Sequence, residues 1–509
     1  MTSVRRVLVT GATGYIGGSL APHLLQAGYL VRVMVRNPDR LKGRWWAERT
    51  DVGVEVAVGD ALRPETLPPV LEGVDAAYYF LHSLYAGPGF HEMDLRAARA
   101  FSHAAQRAGV ERILYLGGLG NPADPLSPHL RSRQETGAAL REGGVPVTEF
   151  RAAIVIGSGS GSFEMIRYLT ERIPLMTSPR WVRSRIQPIA IDDILAYLTA
   201  ALEVPESAGK VIEIGGAEVM TYGDTLRAYA HIRGLRRLVL VLPVLTPGLS
   251  SHWVGWVTPV SARIARPLIE GLRYDIVVRD DTARRMFPDI HPMDYRTSVR
   301  LALADLHPER VDTAWLDAQA AVGRVSSASG DSEPAVSVLQ EGMYMYRVTR
   351  LVNAPAEAVY ATFSGLGGKR GWLHANWAWR LRGIVDRLLG GPGLRQGRRH
   401  PAEIAVGDAV DFLRAEAVEP GCLLRLRLEA KVPGRFWLQF EAHPADKAHP
   451  ADKVHPVEEG RTRLAQTVFF DARGLVGVLY WHAFHWLRTM VFSGLADEIA
   501  HRAEGRRPP

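Results

Sequence analysis

Short apolar runs alternate with segments of helical spacing through the first 200 residues. The runs RRVLVTG, LVRVMVRN, VEVAVGD, AAYYFLHS, RILYLGG and VTEFRAAIVIG are rich in branched and aromatic residues and read as strands. Between them, stretches such as DLRAARAFSHAAQRAG repeat apolar residues every three or four positions, which predicts amphipathic helices. This alternation predicts an α/β domain, a doubly wound parallel sheet with helices on both faces. From about residue 205 the pattern is mixed, with KVIEIGG as a late strand among short helices, and predicts a substrate-side extension that carries the first domain to residue 325.

The stretch RVSSASGDSEPAVSV has neither strand nor helix periodicity and is read as a linker, placed at residues 326–340. Beyond it, residues 341–509 change order: strands at DAVDFLRAEAVEP, LLRLRLEAKVPG, RFWLQFEAHP and TRLAQTVFFDA precede one long helical stretch, GVLYWHAFHWLRTMVFSGLADEIAHRAE. Antiparallel strands followed by a long helix predict an α+β sheet wrapped around that helix, enclosing an apolar cavity.

The first strand runs into TGATGYIGG, with Gly11, Gly14 and Gly17 spaced three apart where strand hands over to helix. The first glycine of such a loop permits a tight turn, the second lets backbone approach a pyrophosphate, and the third allows close helix-to-strand packing. Thr13 shapes the loop, and the N–H groups at Tyr15 and Ile16 open the helix toward the phosphates. The second strand ends in Arg36 rather than an acidic residue, which favours the 2′-phosphate of NADP over the free hydroxyl of NAD; NAD is the alternative cofactor. Asp60, after the third strand, is a candidate acceptor for the adenine amino group or a helix cap, and Leu81, His82 and Ser83 after the fourth strand are candidates to line the groove near the nicotinamide.

Composition adds limits. A hydrophobic share of 47% and a charged share of 23% are ordinary for a globular chain. The excess of 61 Lys and Arg over 54 Asp and Glu is spread along the chain, so no nucleic-acid partner is predicted. Cys422 is the single cysteine, which excludes an internal disulfide and multi-cysteine metal sites. The opening MTSVRRVLVTGATG leaves no room for a secretion signal, and a cytoplasmic location is expected.

Residues 1–325 resemble the atypical short-chain dehydrogenase/reductases through TGATGYIG, the VGD segment, and RAAIVIGSGS followed by QPIAIDD. More narrowly, FLHSL, SPHLRSRQETG, SGSGSFEMIRYL and LSSHWVGWVTPV resemble NmrA-like bacterial proteins, related to the NADP-binding subunit of respiratory complex I, that carry a C-terminal DUF2867 domain. The C-terminal 165 or so residues resemble a START-like ligand-binding domain. The resemblance implies an NAD(P)-dependent oxidoreductase and a Ser, Tyr and Lys triad. Here His129 falls at the tyrosine position, Arg133 at the lysine position, and Gly117 and Gly118 where serine is expected. Two readings remain open: a reductase in which His129 gives a proton near neutral pH while Arg133 holds an oxygen, or an NADPH-binding sensor or assembly factor without turnover.

The segment RRLVLVLPVLTPGLSSHWVGWVTPVSAR carries no Asp, Glu, Lys or Arg between Arg237 and Arg263. Its prolines interrupt any span of about 20 apolar residues, leaving a pocket wall or a peripheral membrane contact. Asp192 and Asp193 are read as caps of the following helix, and HPADKAHPADKVHP, with His443, His449 and His455, as an expanded hairpin loop rather than a metal site. Trp372, Trp377, Trp379, Trp437, Trp481 and Trp486 are candidates for core or for a cavity wall around a hydrophobic small-molecule ligand, with a quinone, isoprenoid or lipid as the expected substrate.

Overall fold

The computed structural model describes residues 6–41, 44, 46, 47, 54–82, 89–121, 123, 126–178, 180–241, 274–305, 335–340, 342–367, 370–388, 404–444 and 460–505. The chain divides into two compact units, Met1–Ala321 and Val322–Pro509.

In the first unit the strands are β1 (Arg6–Thr10), β2 (Leu30–Val35), β3 (Val54–Val58), β4 (Ala76–Tyr79), β5 (Arg112–Gly118), β6 (Val147–Ala152) and β7 (Val211–Ile214). They form one parallel sheet in the order β7-β6-β5-β4-β1-β2-β3. KVIEIGG therefore belongs to the main sheet: Ile212 pairs with Phe150 and both are buried, because the run is apolar enough to cover the open side of β6. Val7 and Val9 join the core on one face and Leu8 the core on the other, as expected of strands covered on both sides. The helices used below are α1 (Tyr15–Gln26), α2 (Phe90–Ala108), α3 (Pro128–Arg141), α4 (Gly161–Arg172) and α5 (Ile191–Ala200). The apolar stretch contributes Leu238–Val241, paired with Leu175–Ser178; residues 242–273 lie outside the described part.

The second unit is built from β8 (Val336–Gln340), β9 (Met343–Val352), β10 (Ala409–Val410), β11 (Leu413–Glu419), β12 (Leu423–Leu428), β13 (Gly434–Pro444) and β14 (Thr462–Ala472). All neighbours are antiparallel, in the order β8-β9-β14-β13-β12-β11-β10. The last five positions read as linker are thus strand β8, whose VSVLQ alternates well enough to pair with β9. Across β13 and β14 Pro444 faces Thr462, so the His and Pro repeat joins two hairpin strands, although residues 445–459, with His449 and His455, lie outside the described part. Helices α6 (Ala356–Ser364) and α7 (Asn376–Leu388) lie between β9 and β10 in the chain, and α8 (Gly474–Ala483) and α9 (His485–Ala503) follow β14.

The long helical stretch is therefore two helices, broken at Phe484. The break is sustained by a side chain: Arg488 Nη1 donates to the Trp481 carbonyl at 2.6 Å, supplying a bond to one of the carbonyls that a helix end leaves open. Helix α9 is tied to the sheet by Gln466 Nε2 donating to the Phe492 carbonyl at 2.9 Å and by Tyr346 Oη against Ser493 Oγ at 2.9 Å. Leu438, Phe440, Val468, Leu495 and Ile499 are fully buried in the core between them.

Candidate functional site

The order of the first sheet reverses direction between β1 and β4, and open α/β sheets bind ligands beyond the carboxyl ends of strands at such a point. The hydroxyl of Thr10, buried at the end of β1, accepts from Phe80 N at 2.9 Å and fixes the start of the crevice. The chain then turns at Gly11, whose φ of +67° suits glycine and where a Cβ would stand 2.8 Å from the Phe80 carbonyl oxygen. The N–H of Gly14 closes the turn on Gly11 O at 2.9 Å, and a Cβ on Gly17 would come 2.5 Å from that same oxygen. Gly14 is exposed, caps α1 without a side chain, and has open space over it apart from Gly11 O. The first turn of α1, with Tyr15 and Ile16, holds no acidic residue. A pyrophosphate fits this cradle, because the N–H groups and positive end of the helix are presented without a competing carboxylate.

Arg36 stands exposed just past β2. Arg44, which the sequence pattern does not single out, donates from Nη2 to the Thr13 carbonyl at 3.2 Å and lies over α1 where a Cβ on Gly18 would meet it. The one signal for it is its position eight residues beyond Arg36 in the connection after β2. Asp60 is half-buried, and its Oδ1 accepts from Leu62 N at 3.0 Å, so one carboxylate oxygen is held in a turn. Tyr15 reaches across to the loop after Ile156: a Cβ on Gly157 would collide with its hydroxyl.

At the other side of the crevice, Ser127 caps α3 by accepting from Leu130 N at 3.3 Å, with Pro128 in the first helical position. This places His129 in the first turn and Arg133 one turn later on the same face. Leu81 and His82 follow Phe80, and the His82 ring lies 5.5 Å from that of His129. Asp94, buried on α2, approaches His82 Nδ1 at 3.6 Å. Arg133 donates to the Leu116 carbonyl and its guanidinium lies 5.2 Å from the ring centroid of buried Tyr115. A Cβ on Gly118 would stand 2.7 Å from Leu130 Cδ2, so a leucine methyl fills the space beside that position. Ser83 lies outside the described residues.

Burial lowers the His82 imidazole from its usual range against the pull of Asp94, and burial with Arg133 and His82 pushes His129 down to about 3. His129 is therefore neutral at pH 7, which changes the expectation of an imidazolium that gives up its proton there. Its Nδ1 is buried with no partner among the described residues. Asp193 stands in the first turn of α5, where its carboxylate accepts from the backbone of the N-cap residue Ala190, and its Oδ2 also accepts from Met293 N at 2.9 Å.

In the second unit a cavity of about 840 Å³ opens between α7, the sheet and the α8–α9 break. Trp377, Trp379 and Trp481 line it, whereas buried Trp372 and Trp437 donate to Asp411 at 2.8 Å and Glu416 at 2.7 Å, and Trp486 is exposed outside the lining. The six tryptophans thus divide between wall, core and surface. No helix among the described residues is long and apolar enough to cross a membrane, and no group of His, Cys, Asp and Glu among them is arranged to hold a metal.

A glycine turn at the reversal point of a doubly wound sheet defines the dinucleotide-binding class of α/β domains. Residues 3–231 match the NmrA-like family, and residues 342–495 match the family described as protein of unknown function, DUF2867. The chain is 27% identical over 247 residues to a ceramide reductase of Caulobacter vibrioides, covering 48% of this chain and 76% of that one. It is 24% identical over 267 residues to the photosystem II assembly factor Ycf39 of Trieres chinensis, covering 51% and 80%. The triphenylmethane reductase of Citrobacter sp., solved with NADP(H), is 19% identical with a TM-score of 0.46, covering 58% of this chain and 99% of that one.

Proposed function

We propose that the first unit binds NADP(H) and acts as a reductase of an apolar molecule, a quinone, isoprenoid or lipid, and that the second unit is a START-like domain for a hydrophobic ligand. The observation that carries the cofactor reading is the open face of the glycine turn, with Arg44 donating to the Thr13 carbonyl beside it and Arg36, not an acidic residue, directly after β2. Arg36 and Arg44 take the 2′-phosphate side, Gly14, Tyr15 and Ile16 the pyrophosphate, and Leu81 and His82 the nicotinamide end. NADPH, when bound, supplies the hydride. His129, neutral and aligned with the tyrosine of the usual triad, donates a hydrogen bond to the substrate oxygen as charge grows there, and water completes the proton transfer. Arg133 positions this face of α3 through the Leu116 carbonyl. The name of the ceramide reductase relative, ceramide being a lipid, supports an apolar acceptor.

A second reading, an NADPH-binding sensor or assembly factor, is favoured by the neutral His129 and by Leu130 packed beside Gly118 where the family serine is expected. It agrees with the name of the Ycf39 relative. The two are separated by following the absorbance of NADPH with the purified chain and a panel of quinones and long-chain carbonyl compounds. The reductase reading expects consumption that His129→Phe lowers by roughly a hundredfold, the range removed with one transition-state hydrogen-bond donor. Tight NADPH binding with no consumption on any acceptor selects the sensor.

A further inference from the structure

We propose that the cavity of the second unit takes an anionic amphiphile, its apolar tail along the aromatic walls and its carboxylate or phosphate head at Arg488. This rests on the reading that the second unit binds a hydrophobic ligand, and adds the chemistry of the head.

The walls are almost wholly apolar, with Trp379, Phe412, Phe436, Phe470 and Phe492 among them, and the volume of about 840 Å³ falls within the roughly 300–1,000 Å³ of small-molecule sites. The charged residues among the described lining are Arg382, Lys431 and Arg488, and that lining contains no Asp or Glu. Arg382 has Asp386 at 3.9 Å. Arg488 is 7% exposed, and its guanidinium carbon lies 3.6 Å from the Trp481 ring centroid. Its polar contacts are the Trp481 carbonyl and His485 Nδ1 at 3.0 Å, and its Nε is buried with no partner among the described residues.

In the first unit Arg167, buried to a similar degree, meets Glu164 at 3.7 Å, and the less buried Arg151 meets Glu149 at 2.6 Å. Sustaining the helix break needs one donor to the Trp481 carbonyl, which a neutral side chain can give; it does not need a charge. An isolated buried cation is costly, and burial draws the Arg488 guanidinium down to about 10. An anion entering the cavity supplies the missing counter-charge. The indole Nε1 of Trp379 is a second buried donor in this wall without an acceptor among the described residues. Trp377, Leu381, Val476 and Leu479 line the cavity and are more than half exposed, so a tail extending past the walls removes these side chains from water.

The test is a titration of the full chain, without NADPH, followed by tryptophan fluorescence, with palmitate, hexadecyl phosphate, hexadecanol and inorganic phosphate each kept below micelle formation. Palmitate or hexadecyl phosphate is expected to bind about tenfold or more tightly than hexadecanol, the scale of one charge-assisted hydrogen bond. Whichever of the two binds more tightly names the head. In Arg488→Gln the advantage over hexadecanol is expected to vanish. Equal affinity for hexadecanol and both anions in the unaltered chain overturns the proposal, as does inorganic phosphate binding as tightly as the amphiphiles. The wild-type comparison stands even where the variant folds poorly. Failure of all three long-chain compounds to bind defeats the hydrophobic-ligand reading of the second unit instead, and leaves the NADPH experiments untouched.

Discussion

In the first unit the candidate cradle is backbone: Gly11, Gly14 and Gly17 remove side chains so that N–H groups reach the crevice. In the second unit the candidate cavity is side chain throughout, with indole and phenyl rings from α7, the strands and α8–α9 making a wall in which the buried guanidinium of Arg488 is set. A backbone cradle is unforgiving, because a single Cβ closes it, and it recognises a common chemical group. A side-chain wall is adjustable, since each ring contributes only part of the surface, and its specificity lies in the few polar groups it contains.

The sharpest break of this contrast is Gly17→Val. A Cβ 2.5 Å from Gly11 O is backbone against backbone and has nowhere to relax, so NADPH binding measured by calorimetry is expected to fall by about a hundredfold or more, of order 3 kcal/mol. Fluorescence titration of the second-unit cavity is expected to be unchanged. If NADPH binds Gly17→Val normally, the backbone account of the cradle is wrong.

A large truncation in the second unit gives the converse. Phe440 is fully buried, with its ring centroid 5.4 Å from that of Phe363, and Phe440→Ala is expected to cost about 3–5 kcal/mol in denaturant unfolding of that unit. NADPH affinity is expected to stay as it was; a parallel loss there would mean that the two units do not fold as separate ones.

The smallest effect sharpens the electrostatics. His129 titrates near 3 in the folded chain and near 6.5 when unfolded, so between these values the unfolded chain takes up a proton that the folded one refuses. The contribution of this group is fully present above about 6.5 and is lost as the pH falls toward 3. His129→Phe is accordingly expected to flatten the acid side of the melting-temperature profile of the first unit. An unchanged profile would mean that the imidazole is solvated.

The glycine turn is legible in the sequence, because three glycines between a strand run and a helix run have a local explanation at each position. The parallel sheet is legible for the same reason, from repeated β–α alternation. Arg44 is not, since its role depends on the fold of the connection after β2 that brings it to Thr13. The break at Phe484 is hidden as well: no Pro or Gly marks it, and it is held by Arg488 acting from the next helix. KVIEIGG reads locally as a late strand of the extension because its partner, Glu149–Ala152, is far away in sequence; VSVLQ reads as linker because it continues a Ser- and Gly-rich stretch, although it pairs with the adjacent Met343–Arg347.

The sequence by itself determined the class of the first unit, the place of its phosphate cradle and the α+β character of the second, since these follow from periodicity and from residues whose backbone needs are local. Tertiary structure alone decided that His129 is neutral, that the tryptophans divide between core, wall and surface, and that Arg488 stands in an apolar wall without a carboxylate among the described residues. Each of these depends on burial and on neighbours from other elements, and desolvation and packing are properties of the assembled fold.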